Sequence, residues 1–364
     1  MVEYRHLPNN GEKISTIGIG TGNFLQTNPQ EIKNIVNYGI DNGINFIDSI
    51  LHVDTAKALG DAIKPKRDKV ILQSHFGCVF RNGAYTISRD LPEMIHTLDE
   101  ELELYGTDYT DIGLIHYIDD KEDLRNVMDN GIYKTLLEMK EEGKIHYLGF
   151  ISHTPSICKQ LIDEGDFDLF MLSINPVYDF EPSENGLKLN KERMDLYNEC
   201  EKRGIGITVM KPFDGGRLLD SKESPFKTSM TPNQCIQYIL DRPAVHTCLP
   251  GIISLNQFKE VLEYYESNSK EKDYSFIGDL ERKDINNLCL YCNHCQPCSS
   301  NIDIASVNKY YELSLKGDEL AKSHYLDLIK HSSDCIECGD CEKRCPFNVE
   351  IIDKMKKINE YFKI

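Results

Sequence analysis

Eight of the thirteen cysteines lie in two short quartets near the C-terminal end of the sequence. The first quartet falls in LCLYCNHCQPCSS and the second in DCIECGDCEKRCPF, so each places four thiols within ten or eleven residues. Structural zinc sites usually draw separated Cys-x2-Cys pairs from two loops, and this dense packing suits them poorly. The eight candidate metal ligands are Cys289, Cys292, Cys295, Cys298, Cys335, Cys338, Cys341 and Cys345.

The second quartet has the spacing C-x2-C-x2-C-x3-C and is followed at once by Pro346. This spacing resembles that of bacterial two-cluster ferredoxins, in which the fourth cysteine ligates the other cluster. The resemblance implies two [4Fe-4S] clusters with crossed ligand sets. One set is Cys289, Cys292, Cys295 and Cys345, and the other is Cys335, Cys338, Cys341 and Cys298.

Composition and charge indicate a soluble globular protein and argue against a membrane-spanning, secreted or nucleic-acid-binding one. A hydrophobic content of 40% and a charged content of 27% are ordinary for a soluble globular chain of 364 residues. No apolar run reaches the length of a membrane span, and the N-terminal MVEYRHLPNNGEK lacks a signal peptide's apolar stretch. The net charge of −18 argues against nucleic acid or an anionic membrane as partner. We expect a cytoplasmic protein of an anaerobe, because a reducing compartment keeps such thiols available.

Residues 1–262 alternate short apolar runs with helical patterns, as βαβ units do. One helical pattern is Ile32, Ile35, Val36 and Ile40. The eight strand candidates are TIGIG, NFID, VILQS, DIGLIH, HYLGF, LFMLSI, GITVM and TCLPG. This number over about 250 residues predicts an α/β fold of the (β/α)8 TIM-barrel type. An open doubly wound sheet is the alternative, but no G-x-G-x-x-G turn follows an early strand.

The polar stretch ESNSKEK predicts a boundary between a barrel over residues 1–270 and a cysteine domain over residues 271–364. Ile304, Val307 and Tyr311, and then Tyr325, Leu328 and Ile329, repeat at helical spacing. We therefore expect a small all-helical ferredoxin-like domain after the barrel.

Several segments of the barrel half resemble the aldo-keto reductases in order and spacing. They are EYRHLPNNGEKISTIGIGTGNF, GINFIDS, ELELYGTDYTDIGLIH, EEGKIHYLGF, CEKRGIGITVMKPFDGGRL and LPGIISLNQF. KPFDGG and the cysteine quartets point to the branch with a fused ferredoxin domain. The resemblance implies that Asp48 and His116 hold two of the four catalytic positions. The position of the family's catalytic tyrosine holds Val53, with His52 beside it. The position of the catalytic lysine holds His75.

The positions that hold NADPH in this family also differ. The nicotinamide-binding serine, asparagine and glutamine are replaced by Ile151, Ser152 and Met171, and the adenosine-binding arginine and asparagine by Ile253 and Val261. The resemblance therefore implies weakened NADPH binding, and whether the cofactor is flavin or NADP stays open.

Barrel active sites lie at the carboxyl ends of the strands. Reading those ends gives the candidate catalytic residues Asp48, His52, His75 and His116, and also His153, Asn175 and Lys211. The candidate cofactor-binding residues are Lys211, Gly215, Gly216 and Gly251. Cys78 is a weaker candidate nucleophile, since such a cysteine is more often a small buried hydrophobe.

These observations favour an iron–sulfur oxidoreductase that acts on a small molecule in the barrel. Its expected partner is a low-potential electron carrier such as ferredoxin or flavodoxin. Three alternatives stay open: an NADPH-dependent carbonyl reductase, a metal-dependent non-redox enzyme that uses the histidines, and a non-catalytic electron-transfer subunit.

Overall fold

A computed structural model describes residues 1–50, 53–81, 84–183, 186–279, 289, 295–315, 319–345 and 349–363. The chain divides into two compact units. The first comprises Met1–Ile174, Lys191–Pro212 and Ile236–Lys272, and the second comprises Asn175–Asn190, Phe213–Cys235 and Asp273–Ile364. The second unit thus includes two segments that precede residue 270. The division predicted from the polar linker stays a prediction.

The first unit begins with an antiparallel hairpin and contains an eight-stranded parallel sheet. The hairpin strands are β1 (Tyr4–His6) and β2 (Lys13–Ser15). The sheet strands are β3 (Ile19–Gly20), β4 (Phe46–Ser49), β5 (Ile71–Phe76), β8 (Thr110–Ile115), β9 (Ile145–Ser152), β10 (Leu169–Ser173), β13 (Gly206–Met210) and β14 (Val245–Leu249). They follow one another around the sheet in this order. All eight strand candidates of the sequence are confirmed.

The sheet closes between its first and last strands. Ile17 forms a parallel bridge with Cys248, whose backbone N–H donates to Thr16 at 3.0 Å and whose carbonyl accepts from Gly18 at 2.9 Å. At the same edge, Arg5 donates to the carbonyls of two residues near β14, Leu240 and Val245. Closure fits a (β/α)8 barrel, so the barrel is confirmed and an open sheet is excluded.

Helices follow the sheet strands. In chain order they are α1 (Pro29–Asp41), α2 (Val53–Ile63), α3 (Leu91–Tyr105), α4 (Lys121–Asp129), α5 (Ile132–Glu141), α6 (Pro155–Glu164), α7 (Pro176–Asp179), α8 (Lys191–Arg203), α9 (Pro232–Leu240) and α10 (Leu255–Leu262). Helix α1 shows why the sequence predicts them. Asn28 caps it by accepting from the Glu31 N–H at 2.9 Å, and the predicted apolar positions Ile32, Ile35 and Val36 are buried.

Two antiparallel hairpins interrupt this alternation and were not predicted. One, in the first unit, consists of β6 (Cys78–Arg81) and β7 (Ala84–Ile87). The other, in the second unit, consists of β11 (Phe180–Ser183) and β12 (Gly186–Leu189).

The regular secondary structure described in the C-terminal part of the second unit is helical. Its helices are α11 (Ile304–Leu315), α12 (Glu319–Leu326), α13 (Asp340–Arg344) and α14 (Ile351–Phe362). The helix predicted over Ile304, Val307 and Tyr311 is confirmed. The predicted continuation through Leu328 and Ile329 is wrong, because α12 ends at Leu326. His331 then adopts an extended conformation and begins a new capped turn, which leaves Ile329 73% exposed.

Within the described residues, no helix combines the length and the apolar character that crossing a bilayer requires.

Candidate active site

Asp48 lies near the carboxyl end of β4, facing the barrel interior. Phe46, two residues earlier, belongs to the apolar core, and strand alternation turns both side chains to the same side. Asp48 is buried, and Gln73 from the adjacent strand donates to its Oδ1 at 2.6 Å. Thr208 in turn donates to Gln73 Oε1 at 3.3 Å. The carboxylate is therefore fixed by its neighbours in the sheet.

His75 joins Asp48 to His116. Its Nε2 lies 2.7 Å from Asp48 Oδ1, and its Nδ1 lies 3.2 Å from Nδ1 of His116. Both imidazoles are buried, and their ring centroids are 5.3 Å apart. Three of the four predicted catalytic residues thus form one hydrogen-bonded chain.

The environment of His116 determines its protonation. Burial, followed by the positive charges of His75 and Arg89, holds the pKa of His116 well below its usual range. His116 is therefore neutral at neutral pH and carries one proton. That proton occupies Nδ1 when His75 accepts and Nε2 when His75 donates, so the tautomer of His116 follows the protonation of His75.

Arg89 holds the segment that carries His116. Its Nη2 donates to the carbonyls of His116 at 2.8 Å and Tyr117 at 3.1 Å, and it pairs with Asp123 at 2.6 Å. Tyr117 has a φ of 54°, in the left-handed region that non-glycine residues seldom adopt. Arg89 therefore stabilises a strained turn directly after a site residue.

A second histidine–carboxylate pair lies at the end of β9. His153 Nδ1 is 2.9 Å from Asp119 Oδ2, and the hydroxyl of Ser152 donates to Asp119 Oδ1 at 2.8 Å. The Tyr117 ring centroid lies 5.3 Å from that of His153 and 6.1 Å from that of His116. One aromatic ring therefore contacts both histidines.

Glu101 is a buried carboxyl group on α3, on the outer side of the strands. Burial raises its pKa to about 7, although hydrogen bonds with Ser49 and Ser74 and the charge of His75 act in the opposite direction. At neutral pH this carboxyl group is therefore partly protonated, and the charge of His75 favours its ionised form.

Of the remaining predicted residues, those that the structure describes lie at other strands and helices than Asp48, His75 and His116. His52 lies outside the described residues, and Val53 begins α2. Lys211 follows β13 with a φ of 57°. Gly251 follows β14, and Cys78 is buried in β6.

Gly215 and Gly216 belong to the second unit, and both have positive φ values. The Gly216 N–H already donates to the carbonyl of Phe213 at 2.9 Å. The four cofactor-binding assignments (Lys211, Gly215, Gly216 and Gly251) stay predictions.

Sequence reasoning missed Gln73, Arg89, Glu101 and Asp119. Glu101 carried a detectable signal, because it falls on the buried face that Leu98, Leu102 and Tyr105 define at helical spacing. Asp119 lies three residues after His116, so reading the same strand end a little further identifies it. Arg89 had no such signal, since its contacts span 27 residues or more to His116, Tyr117 and Asp123.

Two positions expected to hold a nicotinamide ring are part of the apolar core. Ile151 and Met171 are each 2% exposed and pack in the barrel interior. Ser152, the third such position, directs its hydroxyl to Asp119. These side chains thus offer a nicotinamide carboxamide little polar contact.

In the second unit, four of the quartet cysteines line one pocket together with Arg344: Cys298, Cys335, Cys338 and Cys341. Across the residues that the structure describes, no group of three or more His, Cys, Asp or Glu side chains is arranged to ligate a metal ion. Cys292 lies outside those residues. The metal-ligand assignments therefore stay predictions.

Comparison with known proteins identifies the barrel half. Residues 16–234 match the family model described as Aldo/keto reductase family. An uncharacterized oxidoreductase, YqkF of Bacillus subtilis, is 24% identical over 277 residues, which cover 69% of this chain and 87% of that protein. The L-glyceraldehyde 3-phosphate reductase of Escherichia coli K12 is 21% identical over 228 residues, 60% of this chain and 63% of that protein.

Solved structures show the same fold. A holo-form aldo-keto reductase from Bacillus halodurans superposes with a TM-score of 0.63 at 19% identity, covering 77% of this chain and 97% of that one. An aldo/keto reductase from Brucella melitensis gives a TM-score of 0.53 at 21% identity, covering 75% and 98%.

Proposed function

This chain belongs to the aldo/keto reductase family and is therefore an oxidoreductase, and we propose that it works with two [4Fe-4S] clusters held by its C-terminal cysteines. The observation that carries the proposal is the pocket shared by Cys298, Cys335, Cys338 and Cys341. One of these residues belongs to the first quartet and three to the second. They are the members of a crossed ligand set.

The donor chemistry of this pocket fits the proposed group. Thiolates are the ligands of [4Fe-4S] clusters, and the cysteines at 335, 338 and 341 have the spacing that lets three of them ligate one cluster. When bound, such clusters supply one-electron transfer. The second set, Cys289, Cys292, Cys295 and Cys345, is proposed from sequence spacing.

In the barrel, the chain's own residues would handle protons. When His75 is doubly protonated, Asp48 accepts from its Nε2–H, and its Nδ1–H donates to His116. The proton of His116 then lies on Nε2, from which it can pass to a substrate oxygen while His75 reprotonates Nδ1. Asp48 stabilises the His75 imidazolium before this transfer, and afterwards it still accepts from the Nε2–H of the neutral imidazole. This relay would replace the tyrosine and lysine that the family uses.

The buried, apolar Ile151 and Met171 support an electron source other than NADPH. Each hydrogen bond lost with the family's polar residues is worth about 0.5–1.5 kcal/mol, so several together lower affinity by powers of ten. We propose a low-potential carrier, such as ferredoxin or flavodoxin, as donor and a small molecule as substrate, and leave flavin open.

A second candidate is a conventional NADPH-dependent carbonyl reductase with an iron–sulfur appendage. Family membership favours it, and the replacement of both tyrosine and lysine counts against it. The two candidates differ in whether NADPH delivers electrons.

An absorption spectrum of the anaerobically purified protein tests the proposal. We expect brown protein with about eight iron and eight sulfide per chain, as two cubane clusters require. Dithionite should bleach the visible absorption, and millimolar NADPH should leave it unchanged. Iron near half that value, or stoichiometric zinc, would overturn the two-cluster assignment. Saturable NADPH binding in the micromolar range would favour the conventional reductase.

A further inference from the structure

Arg344 connects the two cysteine quartets. It is the last residue of α13 and immediately precedes Cys345 in the second quartet. Its Nη2 donates to the carbonyls of Cys295 at 2.9 Å and Pro297 at 2.6 Å, and its Nε donates to Cys295 at 3.3 Å. A side chain from the second quartet thus holds the backbone of the first.

The loop that Arg344 holds is also fixed from within. Gln296 donates through Nε2 to the carbonyl of Ile302 at 2.7 Å, and its Oε1 accepts from the backbone N–H of Cys298 at 2.7 Å. The backbone from Cys295 to Cys298 therefore has fixed contacts on both sides. The backbone that carries the Cys298 thiol is held by these contacts together with those of Arg344.

We propose that Arg344 is a positioning residue that assembles the crossed ligand set. It would keep Cys298 in the pocket of the second quartet and place a positive charge in the wall of that pocket. The inference rests on the proposed function, because it assigns Arg344 a role toward a cluster in this pocket.

An arginine suits both parts of this role. Its planar guanidinium presents several donors at once, so one side chain can reach two carbonyls in a defined orientation, whereas a lysine ammonium acts as a point charge. The neighbouring Lys343 pairs with Asp340 at 3.0 Å, which offsets its charge locally. Arg344, by contrast, donates to uncharged carbonyls. A nearby positive charge favours the reduced form of a cluster and raises its reduction potential.

The test compares R344Q and R344K with the wild type in the full-length protein, purified anaerobically. K343Q is the matched control, since Lys343 is the adjacent residue and its side chain is 74% exposed. Three quantities are measured: iron and sulfide per chain, the rate of cluster loss to a chelator, and the reduction potentials from an EPR-monitored titration.

We expect R344Q to bind its cluster less tightly, because changes in the groups that orient metal ligands usually lower metal affinity about 10–100-fold. This weaker binding should appear as less iron and sulfide per chain and as faster loss of the cluster to the chelator. Any cluster it retains should have a lower potential than the wild type, because the charge is gone. R344K keeps the charge but not the planar donors, so it should lose metal as R344Q does while its retained cluster keeps nearly the wild-type potential. K343Q should match the wild type in iron and sulfide per chain and in the rate of cluster loss, because Lys343 pairs with Asp340 and not with the backbone of the first quartet.

The outcomes distinguish a failure of the role proposed for Arg344 from a failure of the proposed two-cluster function. Wild-type protein without iron would overturn the proposed function itself. Wild-type protein with two clusters, and an R344Q variant equal to it in chelator resistance and potential, would overturn the role of Arg344 alone. If R344Q takes up no metal, the potential of R344K decides, and a potential lowered in R344K would contradict the charge effect.

Discussion

The two units hold their buried polar groups in different ways. In the barrel, Asp48 is fixed by Gln73 and His75, which come from the neighbouring strand of one continuous sheet. In the second unit, Asp214 is fully buried and pairs with Arg217, which also bonds Glu312 on α11. Glu312 in turn pairs with Lys354 on α14.

The two units differ in which interactions fix the positions of these polar side chains. In the barrel, backbone hydrogen bonds fix the register of β4, β5 and β8, so the site side chains converge even if one of their mutual contacts is lost. In the second unit, a short chain of ion pairs joins segments nearly 100 residues apart in sequence. A buried ion pair stabilises little in net terms, but loss of one partner leaves a buried charge. The barrel should therefore tolerate local changes that the second unit does not.

Removal of the proposed clusters should have the largest effect, and we expect that effect in the second unit alone. Because metal binding contributes directly to folding where a small domain has a limited core, chelation should open residues 295–363. Hydrogen exchange followed by mass spectrometry should show fast exchange in α11 to α14 and unchanged protection in β4, β5 and β8. A single loss of protection across the whole chain would show that the two units unfold together.

Replacing His75 by Gln should reduce turnover by about 10²–10⁴-fold, the range expected when a group that transfers protons is lost. Iron content should stay at the wild-type value, because His75 lies in the barrel. Turnover is measured with a reduced low-potential donor. H96Q serves as control, since His96 is an exposed histidine whose side chain is 72% accessible. Unchanged turnover in H75Q would contradict the proton relay, and loss of iron would contradict a role of His75 confined to the barrel.

Replacing Arg217 by Gln should destabilise the second unit by about 3–5 kcal/mol, because fully buried Asp214 loses its cation, whereas Glu312 keeps Lys354. Exchange protection in α11 measures this, and protection in the barrel strands should not change. K356Q is the control, since it removes an exposed pair with Glu337 in the same unit. An equal loss in both units would remove the distinction between them.

Replacing Glu101 by Gln should change how stability depends on pH. The folded pKa of Glu101 is raised to about 7, so the folded state binds more protons, and its stability contribution declines as pH rises from about 4.5 to about 7. The raised pKa of Glu101 corresponds to a loss of folding stability of up to about 3 kcal/mol over this pH range, at roughly 1.4 kcal/mol per pKa unit. In E101Q this loss should be absent. Its melting temperature relative to the wild type should therefore rise between pH 5 and pH 8.

The contribution of His116 to folding stability changes with pH in the opposite direction, because folding lowers its pKa. Its contribution is present above about pH 6.5 and is lost as pH falls. Since E101Q leaves His116 in place, the difference between the two proteins isolates Glu101. A difference that does not vary with pH would contradict the raised pKa.

The sequence predicts the barrel well because its information is local. Strand and helix periods are read within about ten residues, and parallel strands bring their carboxyl ends together. The sequence alone therefore predicts that Asp48, His75 and His116 lie at one end of the barrel. The hydrogen-bonded order in which His75 links the other two could not be read, because it depends on side-chain rotamers.

Other features depend on contacts that no local pattern records. The ion pair between Arg217 and Glu312 joins residues 95 positions apart. Arg344 lies 49 positions after Cys295. The end of α12 was mispredicted because Leu328 and Ile329 keep a helical spacing, while the capped turn after His331 requires an extended backbone.

The closure of the barrel has a consequence for the protein's synthesis. Arg5 donates to the carbonyl of Val245, 240 residues further along the chain. A ribosome adds roughly 5–20 residues each second, so the N-terminal hairpin must wait on the order of ten seconds or more for this partner. During that interval, the segment Thr16–Gly18, which bonds to Cys248 in the finished barrel, exposes backbone groups to other chains. Slower translation would lengthen this exposure, and the yield of folded protein should fall accordingly.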